Sequence, residues 1–181
     1  MRLGMRRIAA WLVDWLCILI WVAITAAIGV PLYLNGITSP AGMLTANLVG
    51  AVVVVVPVVL AAAFVESRRF SATPGKRLLG LRLRCRSGQP RFHLALIRNL
   101  LKIGLPWILG HAAVYALART DAESFGMPIG VWIVAVAANV IPLVYVVTLF
   151  LADGRTPYDR ITGTDVVLVR PPRRVGFRPE H

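Results

Sequence analysis

Apolar residues fall along this chain in four long blocks, and the stretches between them hold nearly all of the charge. The blocks cover residues 8–33, 43–65, 94–118 and 127–152. About 20 apolar residues of helix cross the roughly 30 Å hydrocarbon core of a bilayer, and each block reaches that length. The second and fourth carry no charge at all. The third reaches it only with two cations included, because its uncharged part, residues 103–118, would give only about 24 Å of helix. Extending it back to Leu94 brings in Arg98 and Lys102, four residues apart and so on one helix face. Their long stems would let both reach back toward the headgroups. The pattern predicts an all-α membrane protein with four transmembrane helices.

Between the second and third blocks, residues 66–93 follow different periods. Thr73-Pro74-Gly75-Lys76 begins with a capping residue followed by proline at the first helical position, a signal for a helix start. Leu81-Arg82-Leu83-Arg84-Cys85-Arg86 alternates apolar and cationic residues, which is the period of a strand with one dry and one wet face. Ser87-Gly88-Gln89-Pro90 then reads as a turn. A lone strand is not stable, and the β-branched run Thr164-Asp165-Val166-Val167-Leu168-Val169 is available to pair with it. A small two-stranded β element is expected at the membrane surface. Residues 1–169 make one transmembrane domain, and 170–181 form a basic, proline-rich tail expected to be disordered.

Charge adds sidedness. All of the 20 lysines and arginines except Arg119 fall in the amino-terminal segment, the 66–93 link, the start of the third block or the segment after the fourth. Under the positive-inside rule both termini and the β element are cytoplasmic, and an even number of spans agrees. A secretory signal peptide is the competing reading of the first block, but that block is longer than a signal core and carries a carboxylate. With 57% hydrophobic residues and a mean hydropathy of +0.72, the net charge of +12 points to anionic lipid of the inner leaflet rather than nucleic acid. Lys76, Arg77, Arg82, Arg84 and Arg86 are the expected headgroup contacts. The two cysteines, Cys17 and Cys85, lie in different environments and are expected to be free thiols.

Candidate chemistry centres on Arg7 and Asp14, seven residues and two helical turns apart, hence on one face. Asp14 lies about 10 Å further along the axis than Arg7, where a carboxylate costs about 2.5–3.5 kcal/mol and is usually paired or functional. It is either the start of an ion path or a structural partner of Arg98 or Lys102. Glu66, Asp153 and Asp159 fall at a similar depth, and Asp159 also reads as a turn-stabilising carboxylate ahead of the tail strand. Thr73-Pro74-Gly75-Lys76 is not a P-loop, since Phe70 stands where its first glycine belongs and Arg77 where its serine or threonine belongs. Asn139 is expected to bond between helices, and Pro57, Pro106 and Pro142 to kink theirs. His93 and His111 stand alone, so no metal site is expected. No hydrolytic, redox or cofactor motif is present, and the chain reads as a non-enzyme.

Three motifs together resemble the RDD family of bacterial membrane proteins: Arg7 with Asp14, residues 73–83, and residues 156–164 around Asp159. That family often has histidine before the last aspartate, where this chain has Tyr158. The resemblance implies a small helical domain in the bacterial inner membrane and transport of an unidentified small ligand or ion. It implies Arg7, Asp14 and Asp159 as the site residues; Arg98, Lys102, Glu66 and Asp153, which fall at a similar depth in the sequence, are the expected supporting charges. The alternative is a non-catalytic scaffold or accessory subunit that holds anionic lipid or an acidic partner on its basic face. Four helices make a thin enclosure, so the transport reading calls for a homo-oligomer or a membrane-protein partner, or for Asn47 and Asn139 to carry the outer half of the path.

Overall fold

A computed structural model describes residues 3–38, 42–86, 88–117, 128–151 and 153–169. The basic tail from residue 170 and the connection that holds Arg119 lie outside the described residues. Four helices are long and apolar enough to cross a membrane: Leu3–Leu34, Leu44–Ser67, Phe92–Leu117 and Ile129–Thr148. Their bounds differ from the apolar blocks mainly at the polar ends. The first span begins a turn ahead of its block and takes in Arg7, the second runs on to Glu66, and the third begins at Phe92.

Most large apolar side chains of the spans face outward, and the fourth span buries none of its residues inside the protein. Contiguous apolar surface on that scale is untenable in water, and matches a protein whose solvent is lipid. The second and third spans each contain a π-helical turn, at Ala51–Val55 and Leu100–Gly104. Each lies two residues before a proline, Pro57 and Pro106. Proline lacks the N–H that would bond the carbonyl four residues back, so the Val53 carbonyl loses its ordinary helical donor. The indole N–H of Trp21 donates to that oxygen instead, at 3.2 Å. Pro142 sits within a continuous helix. Asn139 bonds its own helix, donating to the Ala135 carbonyl at 2.8 Å, and does not bridge to another. An amide facing lipid has no nearer acceptor than the carbonyl one turn back.

The polar end is the ordered core. Leu81–Cys85 (β1) pairs antiparallel with Thr164–Leu168 (β2), with Leu81 opposite Leu168, Leu83 opposite Val166 and Cys85 opposite Thr164. The alternation in β1 is realised in full: Leu81, Leu83 and Cys85 are buried and Arg82 and Arg84 are exposed. Leu81, Leu83 and Val166 close on Ala10 of the first span. Both cysteines are free, with Cys85 buried and Cys17 exposed.

Thr73 and Pro74 start a short helix, Pro74–Leu78, that lies against the first span. Contact there is so close that a Cβ built on Gly75 would stand 2.0 Å from the Ala10 carbonyl oxygen. Backbone, unlike a side-chain tip, cannot yield by rotation. Gly75→Ala should therefore destabilise the protein by more than the about 1–3 kcal/mol typical of overpacking, read as a lower thermal midpoint in detergent, whereas Gly80→Asn, at a left-handed position with open space around it, should be tolerated.

Candidate functional site

At the polar end, three elements bring charged side chains into a buried network. Arg98, from the first turns of the third span, is 1% exposed. Its Nη1 donates to both oxygens of Glu66 at 3.1 Å, and its Nε donates to Asp159 Oδ1 at 3.0 Å. Arg98 thus does not reach for the headgroups, because two carboxylates meet it inside the protein. Its guanidinium also lies 5.1 Å from the centre of the Tyr158 ring, whose edge-on neighbour is Tyr145. Tyr158 thus gives an aromatic face to the cation.

Glu66 is the second node. It accepts from Lys76 Nζ and from Asn99 Nδ2 at 2.9 Å. Lys76 was expected at a lipid headgroup but is 5% exposed and turned inward, since the short helix aims it at Glu66. Arg77, Arg82, Arg84 and Arg86 are exposed, and Arg77 covers the Phe70 ring at 4.5 Å. Asp159 is the third node. Arg7 Nη2 donates to its Oδ2 at 2.5 Å, and Thr156 donates to the same oxygen through its hydroxyl at 2.7 Å and its backbone N–H at 3.3 Å. Asp159 therefore closes the amino end of the short helix Pro157–Thr162 and fixes the first span at once. Gly163, in the left-handed region, ends that helix and releases the chain into β2.

Arg7 and Asp14 share a helix face as their spacing requires, yet they hold different partners. Asp14 accepts from the Thr73 hydroxyl at 2.6 Å and from the Gly75 backbone N–H at 2.8 Å. It caps the short helix from outside, and neither Arg98 nor Lys102 pairs with it. Asp153 stands apart from the network, on the surface, where it accepts from Arg160 Nη2 at 3.0 Å. Asn99 and the Thr73–Asp14 contact were not anticipated. An amide next to Arg98 inside an apolar block was the available signal for Asn99.

Above this network lies a cavity of about 800 Å³, mainly apolar, partly open and lined by all four spans. Arg7, Asp14, Lys76 and Arg98 reach its floor, and Lys102 stands on its wall. Four tryptophans face it, Trp11, Trp15, Trp21 and Trp107. Trp15 and Trp107 stack at 6.3 Å between ring centres and join the first span to the third.

The environment sets the protonation of the two network groups outside the spans. Burial alone would raise the Asp159 carboxyl, but the charges of Arg98 and Arg7 and the hydrogen bonds from Thr156 and Arg7 hold it well below the usual carboxylate range. Its contribution to stability is present above its ordinary value of 3.8 and is lost as pH falls through the depressed one. Burial pulls the Lys76 ammonium down to about 7, assisted by the charges of Arg98 and Lys102 and opposed by Glu66. Between about 7 and the ordinary 10.5, the unfolded chain holds a proton that the folded protein has released, so stability rises with pH across that window. Thermal midpoints recorded over that range should climb in the wild type and climb less in Lys76→Met. Asp159→Asn leaves Arg98 and Arg7 with one fewer carboxylate, and a broken buried pair costs about 3–5 kcal/mol. Chemical unfolding in detergent micelles should show a loss of that size, against a change near zero for Asp153→Asn at the surface.

No curated protein and no solved structure matches the chain. The family model described as RDD family matches residues 3–126. Those residues include Arg7, Asp14, the Thr73–Gly75 contact and the whole of the Glu66–Lys76–Arg98 cluster, and they end before Asp159. By a match over more than half its length, the chain is a multi-pass integral membrane protein belonging to the RDD family.

Proposed function

We propose that this protein is a small, non-enzymatic carrier of the bacterial inner membrane that takes a ligand into the cavity between its spans. The observation that carries this reading is the cavity of about 800 Å³. That is within the range of about 300–1,000 Å³ usual for small-molecule sites, and like them it is apolar with a few polar groups at one end. Both termini and the strand pair are cytoplasmic in this reading, on the strength of the positive-inside rule. Arg7, Asp14 and Asp159 then act as a lock that holds the cytoplasmic end in shape, and ions do not pass along them. Support comes from their partners: each has a short, specific contact inside the protein, whereas a conducted ion needs polar stations at several depths.

A second reading, as a scaffold on anionic lipid, draws support from the outer face of β1, where Arg82 and Arg84 project away from the buried leucines. The two differ in what the cavity does. Ala62 lines it on the second span, and Ala62→Phe would fill part of it without adding a polar group. The protein purified from native membranes should carry a small molecule detectable by mass analysis, and Ala62→Phe should lose it while remaining folded. Identical bound molecules in both forms, or none in either, would favour the scaffold. Replacing Asp14 by Asn should lower the thermal midpoint and leave the bound molecule in place.

A further inference from the structure

We infer that the cavity is built for a membrane amphiphile with one anionic head group, and that Lys102 is the residue that binds the head. This rests on the cavity reading above and specifies its ligand. Each of the other cations at the cavity is answered within the protein. Arg7 pairs with Asp159, Lys76 with Glu66, and Arg98 with both carboxylates. Lys102 lies on the cavity wall one turn beyond Arg98, and among the described residues it makes no hydrogen bond or ion pair. Its charge is felt by both Glu66 and Lys76, but among the described residues no carboxylate comes within ion-pair distance of it. Arg7, Lys76, Arg98 and Lys102 face this space together with a single carboxylate, Asp14, whose oxygens are already engaged by Thr73 and Gly75. The four cations Arg7, Lys76, Arg98 and Lys102 stand against three carboxylates, Asp14, Glu66 and Asp159, which leaves one positive charge in excess, and a cation without a partner inside a span costs about 2.5–3.5 kcal/mol.

Two further groups on the same helix point to an unfilled site. Asn99 Oδ1 and Trp107 Nε1 are buried with no hydrogen-bond partner, although both residues line the cavity. Buried polar atoms are ordinarily satisfied, and each that is not costs about 1–3 kcal/mol. The π turn at Leu100–Gly104 bears on where they stand. In an uninterrupted α-helix Trp107 would lie about 140° around the axis from Lys102. The wider π turn narrows that angle, and the Asn99 amide, the Lys102 ammonium and the Trp107 indole all line the cavity. The rest of the lining is largely tryptophan and aliphatic, and the hydroxyls of Thr73 and Tyr145 there already donate to Asp14 and to the Leu101 carbonyl. An anion on Lys102 with one apolar chain among the tryptophans fits both halves. A whole two-chain lipid exceeds the volume, so its second chain would leave through the open side.

The tryptophans give the test a direct signal. Trp132, on the lipid-facing side of the fourth span, is the fifth and last tryptophan of the chain. Trp11 is also 39% exposed, so in a Trp11→Phe, Trp132→Phe background the indole fluorescence comes from Trp15, Trp21 and Trp107 at the cavity. The full chain is placed in phosphatidylcholine nanodiscs doped with phosphatidate or phosphatidylcholine carrying bromine at mid-chain, a contact quencher. The expected result is half-quenching at about tenfold lower mole fraction for the brominated phosphatidate, the scale of one charge-assisted contact. Lys102→Gln should bring the two lipids together, Lys102→Arg should keep them apart, and the double change Arg82→Gln with Arg84→Gln should leave the gap unchanged. Equal quenching by both lipids in the wild type overturns the assignment, whatever the variants do. So does a gap that survives Lys102→Gln in folded protein, or one that millimolar inorganic phosphate abolishes, since the site would then take a free anion. Quenching by neither lipid would instead show that no chain enters, and would remove the carrier reading along with the head-group assignment.

Discussion

The buried guanidinium of Arg98 is the joint on which this protein depends. A guanidinium cannot shed its charge at any accessible pH, so placing one at 1% exposure commits the chain to supplying carboxylates around it. Glu66 comes from the end of the second span and Asp159 from the segment after the fourth. Lys76 and Arg7 then balance those carboxylates from the other side, which brings in the link and the first span. Attraction in a low dielectric is strong, but each ion was also taken out of water, so the cluster contributes more to fixing one arrangement than to net stability. Hydrophobic packing cannot perform that task within a membrane, because lipid tails satisfy an apolar helix face as well as another helix does.

From this joint the molecule divides by depth. The polar end is closed: the two strands, the two short helices and the ion network fill it. Toward the other end the spans meet through tryptophan stacking and small residues, and they leave a cavity between them. The π turns of the second and third spans are in the half that borders this space, together with the prolines that follow them. Local irregularity of this kind is tolerated inside a membrane only where other groups take up the freed backbone atoms. Trp21 does so for Val53, and the Tyr145 hydroxyl donates to the Leu101 carbonyl at 2.9 Å.

Much of the fold could be read from spacing alone, because length and period are local properties. Block length gave the spans, alternation gave β1, and Thr-Pro gave the start of a helix. The partners of the charges could not be read in that way. A seven-residue interval places Arg7 and Asp14 on one face, but says nothing of what crosses that face, and two different segments did. Arg98 and Lys102 look alike in the sequence, as cations four residues apart at one end of a span. The structure separates them because Glu66 and Asp159 come within hydrogen-bond distance of the first and not of the second. Lys76 looked like a surface residue by its neighbours, and only the tight seat of Gly75 against Ala10 turns it inward.

The antiparallel pairing of β1 with β2 has a consequence for synthesis. Leu81–Cys85 emerges from the ribosome long before Thr164–Leu168, with two membrane spans still to be made between them. Until those spans are inserted, β1 is an open edge with a hydrophobic face, and Arg98 has only one of its two carboxylates. Tertiary closure of this end is therefore post-insertional by construction, and a nascent chain stalled before residue 159 would present an unsealed strand and a half-neutralised arginine to the quality-control machinery of the cell.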